Sequence, residues 1–198
     1  IARRQRQMCI RDRYNPQTHK FDVPIKIFDP NYTFNNRCFI DQSNKLWAVT
    51  PLSLRRYNSS TLALEDSIPM QGIFPTHFFM HTNGILWLAG NRQITLFDTH
   101  THKFKETPQA LRSHPLLLHA NVNYIHPYGS NSLLLNTDQQ GMFLYNYVEG
   151  YVIHQSENGF PFEVPHFKIS TMFTDSQKNL WIGSVDQGYV CLLYTSPS

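Results

Sequence analysis

Residues 41–58, DQSNKLWAVTPLSLRRYN, contain a unit that the chain repeats three more times. The unit consists of a strand end at Asp41, a polar turn, a short apolar strand around Trp47, a second turn and a strand that ends at Tyr57. The further copies are HTNGILWLAGNRQITLFD at 81–98, PYGSNSLLLNTDQQGMFLYN at 127–146 and DSQKNLWIGSVDQGYVCL at 175–192. Strand-sized segments that recur with turn residues between them predict a repeat protein built from small β-sheets.

The spacing of the copies indicates the type of repeat. One apolar residue anchors each copy, and these anchors are Trp47, Trp87, Leu134 and Trp181. They are 40, 47 and 47 residues apart, which is the length of a four-stranded propeller blade. A propeller closes with roughly 4 to 8 blades. The sequence therefore predicts an all-β fold, a partial β-propeller of about four blades of antiparallel four-stranded sheets, truncated at both ends.

The blades are expected near residues 14–30, 36–67, 77–107, 121–155 and 169–190, the first and last being partial. The connections between blades carry six prolines, which disfavour long helices, and one short helical turn is expected near 109–113. Strands are predicted at 37–40, 46–50, 53–57, 62–66, 77–81, 86–89, 93–98, 103–106, 122–126, 132–136, 142–147, 151–154, 169–174, 180–184 and 188–192.

Each anchor is expected in a blade core. A blade has two apolar faces that it cannot bury alone, so neighbouring blades must stack. A tryptophan supplies a large contact area between two twisted sheets. The turns Asn44-Lys45 and Asn83-Gly84 suit tight hairpins before the anchor strands.

The net charge of +3 is confined to the N-terminus. Residues 1–13, IARRQRQMCIRDR, hold five arginines and one aspartate, which leaves 12 basic and 13 acidic residues in the rest of the chain. The body is therefore not a basic nucleic-acid-binding surface. The segments 1–13 and 191–198 resemble translated adapter sequence and are predicted to be non-native; the alternative for 1–13 is a solvated basic arm. Cys38, in an apolar strand, is expected to be a small buried residue.

The segment DSQKNLWIGSVDQG at 175–188, with its relatives at 41 and 81, resembles the two-component regulator propeller repeat. The resemblance covers residues 14–190 and implies the extracytoplasmic sensor region of a hybrid two-component system. It further implies a periplasmic ectodomain, a membrane contact only through the parent receptor's span, a homodimeric parent and a distant histidine kinase. His81 in place of an acidic residue and Leu134 in place of tryptophan depart from the pattern.

The loops between second and third strands are the predicted ligand surface. In propellers they open on the same face as the connections between blades. Simple turn formation is the favoured explanation of each of these residues taken alone. Phe160 and His166, in the loop before the last blade, could supply a sugar-stacking surface, and the alternative for Phe160 is that it covers the blade edge. The residues predicted to contact an oligosaccharide or other small ligand are Asn91, Arg92, Asp138, Gln139, Asp186 and Gln187.

Two catalytic interpretations are weaker. The ten histidines, with His100 and His102 two residues apart, show no zinc-ligand spacing, so no metal or other cofactor is predicted. Asp41 and Asp175 could form a glycosidase pair, but they occupy equivalent positions before a turn, where turn formation explains them. The sequence therefore predicts no enzyme in this chain; a propeller protein-interaction platform and a glycan-processing propeller enzyme remain as alternatives.

Overall fold

The structure is a computed structural model that describes residues 14–21, 37–81, 83–164 and 168–193. Apart from two short helices, all its regular elements are antiparallel strands, so the all-β prediction is confirmed. Residues 1–13, 22–30 and His166, which carried predictions, lie outside the described ranges. The chain divides into two compact units, residues 1–71 and 72–198. Within the described ranges, no helix is both long and apolar enough for a membrane span.

The first unit holds a two-stranded ladder and one four-stranded sheet. Within that sheet each strand pairs with the next in chain order. Trp47 is fully buried and its ring lies parallel to that of Phe39, 6.3 Å between centroids, while the guanidinium of Arg56 lies 5.9 Å from the indole centroid. The strands are β1 (Tyr14–Asn15), β2 (Lys20–Phe21), β3 (Arg37–Ile40), β4 (Lys45–Val49), β5 (Ser53–Asn58) and β6 (Leu64–Pro69).

The second unit holds three sheets of four, four and three strands. Helix α1 (Gln109–Ser113) and a 3₁₀ turn (Leu117–His119) lie in the connection between its first two sheets. The strands are β7 (His77–Met80), β8 (Ile85–Gly90), β9 (Gln93–Asp98), β10 (Lys103–Lys105), β11 (Val122–Tyr128), β12 (Ser132–Thr137), β13 (Met142–Asn146), β14 (Tyr151–His154), β15 (Ile169–Thr174), β16 (Leu180–Ser184) and β17 (Tyr189–Leu192).

The strands begin and end within three residues of the positions that the repeat predicts, and α1 occupies the expected 109–113. Strand β17 extends to Leu192, two residues into the segment for which a non-native origin was predicted. The origin of that segment stays a prediction.

Strand β12 shows why the second unit needs stacked sheets. Its side chains alternate between two faces, and Leu133, Leu134 and Leu135 are all fully buried. Leu133 and Leu135 belong to a core shared with the sheet β7–β10, whereas Leu134 belongs to a core shared with the sheet β15–β17. A strand that is apolar on both faces therefore lies between two neighbouring sheets, as the blade pattern requires.

The hairpins before the anchor strands, where Asn44-Lys45 and Asn83-Gly84 predicted tight hairpins, use a three-residue turn. In the first unit the amide of Asp41 donates to the carbonyl of Lys45 and the amide of Asn44 donates to the carbonyl of Asp41, both at 3.0 Å. The last turn residue is left-handed in three copies. Their φ values are 56° at Asn44, 80° at Gly84 and 67° at Lys178.

The hairpins that lead to the outer strands share a motif that the sequence analysis missed. Asn58, Asp98 and Asn146 end the third strands, and each accepts amide hydrogen bonds from the residues two and three positions later, between 2.9 and 3.2 Å. These are Asx turns, in which a side chain replaces a backbone acceptor. Asp98 is buried and also pairs with Lys105 at 2.8 Å, and the Lys105 hydrogen bond holds the pKa of that carboxyl well below its usual range.

Cys38 is exposed, and the prediction that it is buried was wrong. It lies in β3, which is an edge strand of its sheet. Phe39, between two exposed neighbours, is the β3 residue that packs against Trp47. An edge strand with one packed face leaves the alternate side chains in solvent.

Candidate functional site

The six predicted ligand residues lie in loops between the second and third strands of three sheets in the second unit. The loops follow β8, β12 and β16. All six residues are exposed: Asn91, Arg92, Asp138, Gln139, Asp186 and Gln187.

Asn91 and Arg92 form a two-residue turn. Both have left-handed backbones, with φ of 49° and 58°, and the flanking Gly90 and Gln93 are paired. This is the backbone of a type I′ turn, which matches the twist of a hairpin. Gly90 is required beside it, because a Cβ at that position would lie 2.0 Å from the carbonyl oxygen of Phe74.

One side chain joins this turn to the loop of the next sheet. Asn121, just before β11, accepts a hydrogen bond from the amide of Arg92 at 2.9 Å, and its side-chain amide donates to a carboxylate oxygen of Asp138 at 3.0 Å. Two further hydrogen bonds involve backbone groups. The backbone amide of Asn121 donates to Oδ1 of Asp138 at 3.3 Å, and the backbone amide of Asp138 donates to the carbonyl of Asn121 at 3.1 Å. Two loops from neighbouring sheets are therefore held side by side.

We call this patch the Asn121 surface and define it as Asn91, Arg92, Asn121, Asp138 and Gln139. Asn121 was not predicted. A sequence signal existed, since an asparagine stands one residue before a predicted inner strand, at the end of a connection that was expected to reach the loop face. The hydrogen-bonding partners of that side chain depend on how two sheets pack, which a single sequence does not specify.

Asp186 and Gln187 do not join the Asn121 surface. Asp186 accepts a hydrogen bond from the hydroxyl of Ser184 at 2.7 Å, and the amides of Asp186 and Gln187 both donate to that hydroxyl at 3.2 Å. Thr137 arranges the loop of the preceding sheet in a similar way, with its hydroxyl donating to the carbonyl of Gly141 at 2.8 Å. Among the described residues, Asp186 therefore has the contacts of a turn residue.

The four anchors differ in burial. Trp47 and Leu134 are fully buried and Trp87 is 5% exposed. The ring of Trp87 lies 5.9 Å from that of Tyr145 in the next sheet. Trp181 is half-buried and lies 5.5 Å from Tyr189 of its own sheet.

The two aspartates that were considered as a catalytic pair each accept hydrogen bonds within their own hairpin. Asp41 accepts hydrogen bonds from the amides of Ser43 and Lys45 and from the indole N–H of Trp47, at 2.8, 2.9 and 2.7 Å. Asp175 repeats this pattern and accepts from the indole of Trp181 at 2.8 Å. That indole hydrogen bond is the main cause that lowers the pKa of Asp175.

The histidines serve mainly as hydrogen-bonding and packing groups. Across the described ranges, no three His, Cys, Asp or Glu side chains converge as metal ligands. His126 shares a 2.8 Å hydrogen bond with the hydroxyl of Thr174 in the next sheet, and burial lowers its pKa to about 4. Nε2 of His154 lies 2.7 Å from the carbonyl of Gln140. Burial also lowers the pKa of His114.

Phe160 lies at the edge of a core rather than in an open aromatic platform. It packs against the core shared by β12 and β15–β17, with its ring 5.2 Å from that of Phe162 in an edge-to-face arrangement. Its proposed partner His166 lies outside the described residues.

Comparison with solved structures finds the same fold in extracellular domains of bacterial proteins. Two structures of an extracellular domain of BT4673 from B. thetaiotaomicron, described once as a putative one component system and once as a putative hybrid two component system, match with a TM-score of 0.67 and 20% identity over 93% of this chain. The extracellular domain of the putative hybrid two component system BT3049 from B. thetaiotaomicron matches with a TM-score of 0.61 and 17% identity over 90% of the chain.

The chain spans about a quarter of the length of these structures, 25% and 23% respectively. No family model matches the chain, and no curated protein matches it. The likeness therefore concerns the fold. The described blades have the fold found in the extracellular domains of putative hybrid two component systems.

Proposed function

We propose that this chain is a ligand-sensing propeller module of a hybrid two-component receptor, located in the periplasm, that recognises an oligosaccharide and regulates a distant histidine kinase. The observation that carries the proposal is the shared fold with extracellular domains of putative hybrid two component systems over 90% or more of the chain. The repeat resemblance in residues 175–188 supports the same assignment.

The Asn121 surface supports a binding role for this face. It presents exposed amide and carboxylate groups on loops that are fixed by four hydrogen bonds: one joins neighbouring sheets, from the Arg92 amide to Asn121, and three join Asn121 to Asp138 within one sheet. Saccharide hydroxyls are both donors and acceptors, so a surface that mixes amides with a carboxylate matches them. A rigid polar surface loses little entropy on binding, which favours recognition.

Signalling would follow from a difference in affinity between two receptor states. A ligand changes a conformational equilibrium only by its preference for one state. In the proposed receptor, a saccharide that bridges neighbouring blades favours one arrangement of the homodimer and so biases the kinase.

The test is a glycan array on the 198-residue chain, followed by titration of the tightest saccharide. Gln139→Ala and Asp138→Asn are expected to weaken binding by about tenfold, the loss of one or two hydrogen bonds. Glu149→Gln, an exposed change in the turn before β14 of the same sheet, is the matched control and should bind as the unmodified chain does.

Failure to bind any saccharide would remove the oligosaccharide assignment. Kinase regulation is tested separately, by measuring phosphorylation of the kinase in a receptor that carries this module. The saccharide should change the rate of phosphorylation, and Gln139→Ala should raise the saccharide concentration that gives half of this change by about tenfold.

A further inference from the structure

A cavity of about 470 Å³ opens beside α1 in the second unit. It lies between strand β9 and the connection that contains α1 and the 3₁₀ turn. This volume falls within the range of small-molecule sites, about 300–1,000 Å³. The cavity is separate from the exposed side chains of Asp138 and Gln139, which do not line it.

Aliphatic residues make up just over half of the cavity wall. They are Ile94 of β9, Leu111 of α1, Leu117, Leu118, Ala120 and Val122, and four of them, Leu111, Leu117, Ala120 and Val122, are each at most 5% exposed. The other lining residues are Arg92, Gln93, Thr95, Thr107 and Arg112. None of the described residues that line it is aromatic. A saccharide ring usually stacks on an aromatic face, which this wall does not offer, whereas an aliphatic chain is well matched by leucine, isoleucine and valine.

Two arginines also line the cavity, and they differ in their contacts. Arg112 of α1 pairs with Glu106 at 3.3 Å. Arg92 contributes its backbone amide to Asn121, but its guanidinium makes no hydrogen bond or ion pair within the part of the chain that the structure describes. Of the two arginines that line the cavity, Arg92 thus has up to five N–H donors that are not engaged by the described residues.

We propose that this cavity binds a small aliphatic monocarboxylate, whose carboxylate pairs with the guanidinium of Arg92 while its chain lies against Leu111, Leu117 and Val122. Arginine and carboxylate match in a planar, two-hydrogen-bond geometry. A single uncommitted guanidinium balances one negative charge, whereas a phosphate ester carries about −1.5 to −2 at neutral pH. The site shares Arg92 with the Asn121 surface, but its other contacts lie in the cavity, so it goes beyond the proposed saccharide site.

The first test is calorimetric titration of the 198-residue chain with hexanoate and with hexanamide. These probes share the same chain and differ in charge. Hexanoate is expected to bind at least about tenfold more tightly, because a charge-assisted pair with arginine is lost in the amide. Arg92→Gln should remove this preference and leave hexanoate bound about as weakly as hexanamide.

A matched pair of surface variants tests the position of the site. Leu118 and Leu116 are both exposed, 50% and 38%, in the same connection, but only Leu118 lines the cavity. Leu118→Glu should weaken hexanoate by about tenfold through like-charge repulsion at the rim, whereas Leu116→Glu should leave binding unchanged.

Equal binding of the acid and the amide would overturn the proposal, as would no detectable binding of hexanoate or the same result for both glutamate variants. The saccharide proposal is measured with different probes and with Gln139→Ala, outside the cavity. Failure of either proposal is therefore distinguishable from failure of the other.

Discussion

The hairpin β15–β16 and the hairpin β11–β12 occupy equivalent positions in neighbouring sheets but are stabilised by different interactions. In the first, Asp175 accepts hydrogen bonds from the amides of Gln177 and Asn179 and from the indole of Trp181. In the second, the equivalent residues are Tyr128 and Leu134, and Leu134 is fully buried among apolar side chains.

In two of the three copies that have a tryptophan anchor, the aspartate and the tryptophan form a hydrogen-bonded pair. An indole N–H is a donor that needs an acceptor when it is removed from water. The first unit has the same pair, Asp41 and Trp47, joined at 2.7 Å. The copy that has leucine at the anchor also lacks the aspartate. One repeat position can therefore be stabilised by a polar contact or by packing alone.

Leu134→Ala should give the largest effect. The substitution leaves a cavity in a core that includes Met142 and Met172, and such changes cost about 2–5 kcal/mol of unfolding free energy. Urea unfolding followed by tryptophan fluorescence measures it. Leu64→Ala, at a position that is 56% exposed, is the control and should change little. If Leu134→Ala lowered the free energy of unfolding by no more than Leu64→Ala does, Leu134 would not be holding these sheets together.

Leu134→Trp should be destabilising by about 1–3 kcal/mol, because it overpacks the core and brings an indole donor without its acceptor. Adding Tyr128→Asp supplies the acceptor found in the other hairpins. The double variant should recover part of the loss, so that the two substitutions show a favourable coupling energy by urea unfolding. Strict additivity of the two changes would disprove the pairing of aspartate and tryptophan.

The sequence predicted the repeated parts of this structure more fully than the connecting parts. Four copies of one pattern located the strands to within three residues, because alternation and turn residues are local signals. The prediction that Cys38 is buried was wrong, because the residues of β3 do not show that this strand lies at an edge of its sheet.

The candidate site was predictable only in part. The loops that carry Asn91, Arg92, Asp138 and Gln139 followed from the repeat. The role of Asn121 and the cavity beside α1 did not, because both arise where one sheet meets a Pro-rich connection. Contacts between separate segments depend on packing, for which a single sequence gives no periodic signal.

Asp175→Asn tests the polar hairpin through pH. The indole of Trp181 is the main cause of the lowered pKa of Asp175, followed among the hydrogen bonds by the amide and side chain of Asn179. A carboxyl group with a lower pKa in the folded state stabilises the fold above its unfolded pKa, near 3.8, and loses that contribution as the pH falls further.

The unmodified chain should therefore have a higher urea midpoint than Asp175→Asn at about pH 7, and the difference should shrink below about pH 4. Asp186→Asn is the control, since that carboxylate accepts a hydrogen bond only from Ser184 among the described residues. A difference for Asp175→Asn that is independent of pH would show that the charge of the carboxylate does not stabilise this hairpin.

A substitution of His81 should have the smallest effect on the free energy of unfolding. This residue combines the two kinds of stabilisation compared above, a hydrogen bond to the turn and a packing contact. Its Nδ1 accepts the amide of Asn83 at 3.2 Å, and its ring meets that of Tyr147 edge-on at 5.2 Å. The amide of Ile85 donates instead to the side chain of Asn83 at 3.1 Å. His81→Asp supplies a carboxylate acceptor for the amides of Asn83 and Ile85 but removes the ring contact with Tyr147. Each of these two effects changes the free energy of unfolding by about 0.5–1.5 kcal/mol, and they oppose each other.

The net change in unfolding free energy for His81→Asp should stay within about 0.5 kcal/mol. The informative measurement is Asn83→Ala in both backgrounds. It should cost about 1 kcal/mol in the unmodified chain, where the amide of Ile85 loses its acceptor. The cost should be much smaller in the His81→Asp background, where the new carboxylate takes that amide as Asp41 takes the amide of Lys45. Equal costs would mean that an aspartate at this position does not re-create the turn of the other hairpins.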